Sequence, residues 1–326
     1  MSLHVSPRNL VPIWLGVLFA LYGSVNVPVE AQRIGITAIS KNDISIKLPE
    51  TQGAWTKLEK SVDLMSWSPH TDPLFNLTEF SVDPTESSAG FFRFTQYPAP
   101  SPPYTVAVVG DSTAAGVIHG SEIISGGWAE GMRFYAGPDT RILNAGEPGL
   151  SSKSFLGDRR QLLNVLIRTT PEFVFIQFGQ IDEFSKSEEL RRTTIEEYQE
   201  NLSTIIELVR EWNGIPILVT PLPWRRFNPD GSISSVLRNR SDAILKVAQK
   251  TGALAIDFHA ILSSYYPTIT SDELKSISAV DQYHFSVKGA EVGAGLLIRA
   301  LPQHIRTLLF DSELFRDALQ IPRIRD

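Results

Sequence analysis

Short, continuous apolar runs alternate with helical patterns along the last two thirds of this chain. Runs of this kind suit strands that are buried on both faces, and a repeated strand–helix–strand order predicts parallel strands. Right-handed crossovers then place helices on both faces of the sheet. The sequence therefore predicts an α/β fold built on a parallel sheet. The five runs lie at residues 106–109, 142–143, 173–178, 215–219 and 253–256.

Three longer segments have the periodicity of amphipathic helices. In each of them, apolar residues recur at spacings of three and four, which forms a single apolar stripe on a helix surface. The second segment is followed by Gly252, at the position after a helix end where glycine is favoured. The predicted helices are residues 194–212, 235–251 and 287–309.

The chain opens on a short apolar segment, residues 11–22, which follows Arg8 and precedes small residues two apart at 29–31. A basic flank, a short apolar core and such small residues are typical of a secretory signal peptide. We therefore predict that residues 1–31 are a signal, cleaved after Ala31, and that the protein is secreted or periplasmic. An uncleaved membrane anchor and a buried helix stay open as alternatives, although a bilayer span needs about 20 apolar residues.

Residues 32–97 have a different pattern, because apolar and polar residues alternate in short stretches separated by turn-prone clusters. This alternation predicts a small all-β, sandwich-like domain. Trp55 and Trp67 within it either form a sugar-stacking face or fill its core. The proline-rich residues 98–103 are interpreted as a semi-stiff linker. The predicted α/β domain follows at residues 104–310, and residues 311–326 are predicted to be a C-terminal tail.

Composition and charge exclude several classes of function. The formal net charge of −6 and the pI of about 5.6 argue against nucleic-acid binding, which needs a basic face. The absence of cysteine excludes a disulfide, a zinc–thiolate site and a thiol nucleophile. No glycine-rich dinucleotide fingerprint and no P-loop occurs. We predict no nucleic-acid partner, and no membrane partner unless the signal stays uncleaved as an anchor.

Candidate catalytic residues follow the first predicted strand and precede the last predicted helix. Ser112 comes directly after the strand, where parallel sheets bind their ligands. A serine hydroxyl is a weak nucleophile until a base takes its proton. His284 lies three residues after Asp281, and in a tight turn this carboxylate accepts from Nδ1 and leaves Nε2 to face the serine. The coincidence of the two patterns in one α/β chain predicts a Ser–His–Asp triad.

With these motifs the chain resembles the GDSL or SGNH hydrolases, and within them the rhamnogalacturonan acetylesterases and related carbohydrate esterases. The Gly-Asp-Ser-Thr motif at residues 110–113 and the Asp-x-x-His motif at residues 281–284 carry the resemblance. Residues 144–155, 219–227 and 284–290 are similar to other sequence blocks of that group. The likeness runs from about residue 104 to residue 309 and leaves out the β-rich part.

The resemblance implies a three-layer α/β/α sandwich with a five-stranded parallel sheet of flavodoxin-like topology. It also implies a secreted serine esterase that removes acetyl groups from a plant-type polysaccharide, such as rhamnogalacturonan or pectin, without a metal or other cofactor. Matched residue by residue, Ser112 is the nucleophile, His284 the general base and Asp281 its orienter. The backbone N–H groups of Ser112 and Gly149 form part of the oxyanion hole, where a glycine lets the backbone approach the reacting oxygen.

The chain departs from the family's third block, where Gly-x-Asn-Asp is expected and Gly179-Gln180-Ile181-Asp182 is found. Isoleucine cannot donate a hydrogen bond, and the loss of one oxyanion donor typically costs about 10²–10³ in rate. Three explanations stay open: the Gln180 amide substitutes, the two backbone donors suffice, or the site binds glycans without hydrolysing them. We rank a hydrolase that uses Gln180 first. A lipase or thioesterase on the same fold is a further alternative.

Trp224, Arg225 and Arg226 follow the fourth predicted strand and are candidate substrate-binding residues. An aromatic ring and planar guanidinium groups suit an acidic sugar. A solvated arginine pair beside a core aromatic residue explains the same pattern equally well. Asp111 is interpreted as a brace of the serine turn, and the charges at residues 188–192 as a solvated cluster at a helix start.

Overall fold

The structure of the protein is a computed structural model, in which the chain forms two compact units, Met1–Ala99 and Pro100–Asp326. Among the described residues, no helix is long and apolar enough to span a bilayer. The predicted signal peptide, Trp67, the side chain of Trp55 and most of the predicted C-terminal tail lie outside the described residues. The described residues are 35–39, 44–47, 54–61, 65–66, 68–69, 74–75, 79–82, 91–98, 102–120, 122–157, 164–166, 168–187, 189–311 and 314.

The described part of the first unit consists of antiparallel strands in two sheets. Its strands are β1 (Gly35–Ile39), β2 (Ile44–Lys47), β3 (Ala54–Ser61), β4 (Ser68–Pro69), β5 (Leu74–Phe75), β6 (Glu79–Val82) and β7 (Phe91–Pro98). One sheet has the order β1–β2–β6. In the other, β3 pairs with β4, β5 and β7, and the ladder with β7 runs the whole length of both strands. The short alternating stretches of the sequence therefore form strands.

The second unit is built on a five-stranded parallel sheet. The strands of this sheet are β8 (Tyr104–Gly110), β11 (Thr140–Asn144), β12 (Phe173–Gln177), β13 (Ile215–Val219) and β14 (Leu254–Ile256). A separate hairpin is formed by β9 (Val117–His119) and β10 (Glu122–Ser125). The sheet has the order β11–β8–β12–β13–β14. Counted along the chain this is 2-1-3-4-5, the flavodoxin-like order, which confirms the predicted fold class. The strand order reverses beside β8, and sheets of this kind bind their ligands beyond the carboxyl ends of the strands at such a point.

Helices cover both faces of this sheet. They are α1 (Ser112–Ala115), α2 (Trp128–Tyr135), α3 (Ser152–Gly157), α4 (Gln180–Phe184), α5 (Ile195–Glu211), α6 (Arg238–Thr251), α7 (Phe258–Tyr265), α8 (Ser271–Ile277), α9 (Val287–Ala300) and α10 (Gln303–Leu309). On one face α5 packs against α3 and α6, and on the other α9 packs against α2, α7 and α8. The sheet lies between these two helical layers, as in a three-layer sandwich.

The central strands contribute side chains to two cores. On one face, Ala107 and Val109 of β8 join Val174 and Ile176 of β12 in a cluster with α5 and α6. On the other face, Phe175 packs edge-on against the Trp128 ring of α2. Because both faces are buried, a strand in this position needs apolar residues at successive positions rather than at alternate ones. This is why the strands appear in the sequence as continuous apolar runs.

Two of the three predicted helices have different bounds in the structure. The segment predicted as one helix at residues 287–309 is two helices, α9 and α10, separated at Leu301 and Pro302. Proline has no N–H to continue the hydrogen-bond ladder, so the first helix stops before it. The helix predicted from residue 235 begins at Arg238, because Leu237 has a left-handed backbone with φ 70°.

Candidate active site

Ser112 lies at the turn between β8 and α1, at the carboxyl edge of the sheet. The Asp111 side chain caps α1 by accepting from the backbone N–H of Thr113 at 2.9 Å. Gly110 is needed at the same turn, because a Cβ there would overlap the backbone carbonyl of Gln177 on the neighbouring strand. These contacts hold the serine at the point where the strand order reverses.

Asp281 and His284 lie in the turn that precedes α9. One carboxylate oxygen of Asp281 lies 2.6 Å from His284 Nδ1, and the other accepts from the backbone N–H groups of Tyr283 at 2.9 Å and His284 at 2.7 Å. Partial burial acts to raise the pKa of Asp281, but these hydrogen bonds outweigh it and lower the pKa below its ordinary value. The carboxylate therefore stays ionised and holds the imidazole in one orientation.

The side chains of Ser112 and His284 meet although 172 positions separate them in the sequence. His284 Nε2 lies 2.7 Å from Ser112 Oγ. With Nδ1 held by Asp281, Nε2 is the nitrogen that is free to accept the hydroxyl proton. Ser112 is 6% exposed and His284 9%, so water is largely kept from the pair. The structure thus brings together the three side chains named from the sequence, and their catalytic roles stay predictions.

The backbone N–H groups of Ser112 and Gly149 are the two candidate donors for an oxyanion. Among the described residues, neither the N–H of Ser112 nor that of Gly149 donates to an acceptor. Gly149 has φ 83°, a conformation that glycine adopts without strain. Its loop is tied to the serine turn, because Glu147 N–H donates to the Gly110 carbonyl at 3.0 Å. An oxyanion hole needs preorganised donors of this kind.

Gln180 begins α4, and its amide is oriented by one contact. Its Oε1 accepts from the indole Nε1 of Trp224 at 3.2 Å, and the indole N–H can only donate. The amide nitrogen therefore points away from Trp224, and within the described part of the chain it has no acceptor. Gln180 is 5% exposed, while the neighbouring Ile181 is half-buried. An amide donor is thus present one residue before the position where the family has asparagine.

Asp182 connects the loops of the site. Its carboxylate accepts from the Ser152 backbone N–H at 3.1 Å, from the Ser152 hydroxyl at 2.5 Å and from the Thr193 hydroxyl at 3.2 Å. Burial raises the pKa of Asp182, against the effect of these hydrogen bonds and of Arg240. The neighbouring Glu183 faces elsewhere, with Oε2 2.8 Å from Arg240 Nε. No group of three or more His, Asp or Glu side chains in the described ranges is placed to hold a metal ion.

Of the two arginines predicted to bind substrate, Arg225 is buried and Arg226 is exposed. Arg225 is 9% exposed, and its Nη2 donates to the backbone carbonyls of Asp281 at 3.1 Å and His284 at 2.5 Å. Its guanidinium carbon lies 5.9 Å from the ring centroid of Tyr266. A single guanidinium nitrogen thus bridges two backbone carbonyls of one turn. Arg225 therefore supports the turn that carries His284.

A buried polar network lies behind Ser112. Thr113 Oγ1 lies 2.7 Å from Asp111 Oδ1 and 2.9 Å from Gln177 Oε1, and Trp128 Nε1 donates to the same glutamine oxygen at 2.9 Å. The single hydroxyl proton of Thr113 serves only one of these two acceptors at a time. Burial raises the pKa of Asp111 to about 6, although hydrogen bonds from Thr113 oppose the shift.

A row of aromatic rings leads to His284. The sequence alone did not reveal this row. The Trp224 ring centroid lies 4.9 Å from that of Phe184 and 5.7 Å from that of Tyr283. The Tyr283 centroid is in turn 4.5 Å from that of His284. The rings belong to three segments that are distant in the sequence, so no local pattern could reveal the row.

Arg191 lies near Gly149, a proximity that the sequence did not reveal either. Arg191 Nη1 is 3.3 Å from the position that a Cβ on Gly149 would occupy. Residues 189–192 do not start a helix, because the N–H groups of Arg191 and Arg192 both donate to the Ser187 carbonyl in a turn and α5 begins only at Ile195. No sequence signal separates Arg191 from Arg192.

The chain is similar to proteins of known family. The family model described as GDSL-like Lipase/Acylhydrolase family matches residues 108–292. The rhamnogalacturonan acetylesterase RhgT of Bacillus subtilis (strain 168) is 26% identical over 216 residues, which cover 62% of this chain and 90% of that protein. The probable rhamnogalacturonan acetylesterase YesY of the same organism is 22% identical over 206 residues, which cover 61% of this chain and 92% of that protein.

A solved structure is similar over a larger part of the chain. The crystal structure of the Bacillus subtilis protein YxiM has a TM-score of 0.54 and 19% sequence identity, and the alignment covers 81% of this chain and 82% of that one. At this identity, the likeness shows a shared fold and nothing more. The family match is more specific, because it spans over half of the chain and contains every residue of the candidate site from Ser112 to His284.

Proposed function

Because the chain belongs to the GDSL-like lipase/acylhydrolase family and is a carboxylic ester hydrolase, we propose that it is a serine acetylesterase that removes acetyl groups from a pectin- or rhamnogalacturonan-like polysaccharide. The observation that carries the proposal is the continuous hydrogen-bonded path from Ser112 Oγ through the His284 ring to Asp281, at 2.7 and 2.6 Å. The names of the relatives RhgT and YesY support the substrate class.

In the first half of the proposed reaction, Ser112 Oγ attacks the acetyl carbonyl carbon while His284 Nε2 takes the hydroxyl proton. The carbonyl oxygen becomes an oxyanion in the tetrahedral intermediate. The intermediate collapses when the bond to the sugar oxygen breaks, and His284 returns the proton to that oxygen. The products of this half are the free sugar hydroxyl and an acetyl group bound to Ser112.

In the second half, His284 takes a proton from water, and the resulting hydroxide oxygen attacks the acetyl carbonyl. Collapse of the second intermediate breaks the bond to Ser112 Oγ, which recovers its proton from His284. Acetate leaves the site. Asp281 stays ionised throughout and stabilises the imidazolium that forms twice in each turnover, in line with its lowered pKa.

Three donors are proposed to hold the oxyanion. Two are the N–H groups of Ser112 and Gly149, which are free of other acceptors in the described part of the protein. The third is the amide nitrogen of Gln180, which replaces the asparagine of the family's third block. Its orientation by Trp224 supports this role, because a preorganised donor costs no reorganisation when the charge develops.

The proposal is tested by acetate release from acetylated pectins and acetylated xylans, with Ser112→Ala as the matched variant. We expect release from the pectins by the original protein and a loss of at least about 10⁴-fold in Ser112→Ala, because the covalent intermediate can no longer form. Aryl acetate, butyrate and octanoate esters should be hydrolysed in falling order. A preference for the octanoate would instead identify a lipase or thioesterase.

Ile181 favours a second candidate, a glycan-binding protein that has lost hydrolysis, because the side chain in the family's donor position cannot donate. The same samples separate the two functions. Binding of the acetylated polysaccharide with no acetate release by either protein would support the binding function and contradict the esterase.

We also propose export, with removal of residues 1–31 after Ala31. The basic flank and short apolar core of that segment support it. Intact-mass measurement after expression in a bacterial host with its secretion system should find a mature chain that begins at residue 32. A chain that keeps the segment and sediments with the membranes would show an uncleaved anchor.

A further inference from the structure

An arginine with no partner among the described residues lies beside the glycine that we propose as an oxyanion donor. Arg191 Nη1 is 3.3 Å from the place of a Cβ on Gly149, and it is the nearest atom to that place. The Arg191 side chain is exposed, and it makes no hydrogen bond or ion pair with the residues that the structure describes. In contrast, Arg225 and Arg240 bind backbone carbonyls or a carboxylate.

Buried contacts set the position of Arg191. Two residues after it, the Thr193 N–H donates to the Asp182 backbone carbonyl at 3.1 Å, and its hydroxyl donates to the Asp182 carboxylate at 3.2 Å. Asp182 in turn binds Ser152, three residues after Gly149, so one carboxylate ties both segments together. Arg240 adds a donation to the Thr193 carbonyl at 2.6 Å. The backbone that carries Arg191 is therefore fixed against the loop that carries Gly149.

The charge and planar shape of the Arg191 guanidinium determine which ligand it can bind. An exposed cation acts weakly on an oxyanion that it does not touch, because water screens its charge. A guanidinium that meets a carboxylate directly forms two parallel charge-assisted hydrogen bonds. On a polysaccharide, a carboxylate is supplied by a uronate residue. In a chain with a net charge of −6, acidic side chains are plentiful, yet none in the described part of the protein pairs with Arg191.

We propose that Arg191 is a specificity residue that binds the carboxylate of a uronate residue in the substrate, next to the acetyl group that Ser112 attacks. The inference rests on the proposed esterase function and deepens it, because it assigns the substrate class to one side chain. The enzyme then prefers acetylated acidic polysaccharides over acetylated neutral ones. Arg191 binds substrate and takes no part in proton transfer.

The first test measures kcat/KM on an acetylated oligogalacturonide and on an acetylated xylo-oligosaccharide. Arg191→Gln should lower the acidic-to-neutral ratio by about 10- to 100-fold, as expected for the loss of a charge-assisted contact. Arg191→Lys should give an intermediate ratio, because it keeps the charge and loses the two-pronged geometry. Equal losses on both substrates would overturn the proposal and indicate that Arg191 acts on the oxyanion.

Arg141→Gln is the matched control for charge. Arg141 is exposed, and it lies near the start of β11, at the opposite end of that strand from the loop of Gly149. This variant removes one positive charge without touching the site, so both rates should stay unchanged. A fall in the ratio equal to that of Arg191→Gln would show a general charge effect and contradict a specific contact.

A binding measurement separates failure of this inference from failure of the esterase proposal. Calorimetric titration of the Ser112→Ala protein with a de-esterified oligogalacturonide needs no turnover. Adding Arg191→Gln should weaken this binding by about 10-fold or more. Weaker binding supports Arg191 even if no ester is hydrolysed, whereas unchanged binding overturns its assignment even if the enzyme is an active esterase.

Discussion

A single hydrogen bond fixes the orientation of the Gln180 side-chain amide. The indole N–H of Trp224 accepts no hydrogen bond, so it selects the amide oxygen and leaves the nitrogen for another acceptor. Ile181, the next residue, has nothing to donate. The proposed oxyanion hole therefore depends on a glutamine that lies one position away from the family's asparagine.

Replacing Gln180 by Ala is expected to lower kcat on an aryl acetate by about 10²–10³, with a much smaller effect on KM, because the donor acts on charge that develops in the transition state. Adding Ile181→Asn to Gln180→Ala should recover part of the loss. The measurement is steady-state kinetics of the three proteins. An unchanged kcat in Gln180→Ala would remove this side chain from the mechanism.

Trp224→Phe serves as the companion variant, since it keeps an aromatic ring and removes the indole N–H. Trp224→Phe should lower kcat in the original protein and have little effect when Gln180 is already Ala. The reason is that Trp224 acts by orienting the Gln180 amide. Equal effects in both backgrounds would assign Trp224 a separate role.

Asp111 carries the clearest pH dependence at the scale of single residues. Its pKa in the folded protein, about 6, lies above the ordinary value of 3.8, so folding favours the protonated form. Asp111 therefore adds up to about 3 kcal/mol to the free energy of unfolding. The whole contribution is present below about pH 4, and it is lost as the pH rises towards 6.

Urea unfolding of the original protein and of Asp111→Asn at pH 4.5 and pH 7 measures this contribution. The stability of the original protein relative to the variant should fall as the pH rises. Asp281, whose pKa is lowered, has the opposite pH dependence, but it is present in both proteins and cancels in the difference. Parallel pH profiles would show that Asp111 has an ordinary pKa.

Among the elements, α2 and α9 approach each other so closely that one glycine is required. A Cβ on Gly131 of α2 would overlap the backbone carbonyl of Ala290 in α9. The obstacle is backbone, which cannot rotate away as a side chain can. Since α9 directly follows the turn of Asp281 and His284, this contact also sets where the imidazole lies.

Gly131→Ala is therefore expected to lower the free energy of unfolding by about 1–3 kcal/mol, the usual cost of overpacking. Gly157→Ala is the control, because Gly157 also lies in a helix, has no left-handed φ and would place its Cβ in open space. Chemical denaturation measures both variants. Equal stabilities of the two would contradict the close approach of the helices.

For the whole molecule, every side chain proposed to act in the reaction belongs to the unit Pro100–Asp326. That unit has its own sheet and its own buried core, which are the requirements of an independently folding domain. The family model matches residues 108–292, all of which lie in that unit.

A chain that begins at residue 100 should accordingly hydrolyse an aryl acetate with a kcat within about twofold of the full chain, because catalytic groups in one domain keep their geometry. Circular dichroism of the shortened chain provides the control for folding. A folded but inactive product would show that residues 1–99 take part in catalysis.

Local patterns in the sequence were enough to specify the sheet, its parallel strands and the three polar residues of the proposed triad. Continuous apolar runs indicate strands that are buried on both faces, and the Asp-x-x-His spacing indicates a local turn. Both patterns can be recognised without knowing which other segments pack against these residues. The same local reasoning placed α5 within one residue of its observed bounds.

The direction of individual side chains, in contrast, was settled by tertiary packing. The neighbours Arg225 and Arg226 look alike in the sequence, yet one is buried against the turn of His284 and the other is exposed. Arg191 lies near Gly149, and Asp182 binds residues of both segments, Ser152 and Thr193. Contacts of this kind depend on how distant parts of the chain pack, and no local pattern encodes that packing.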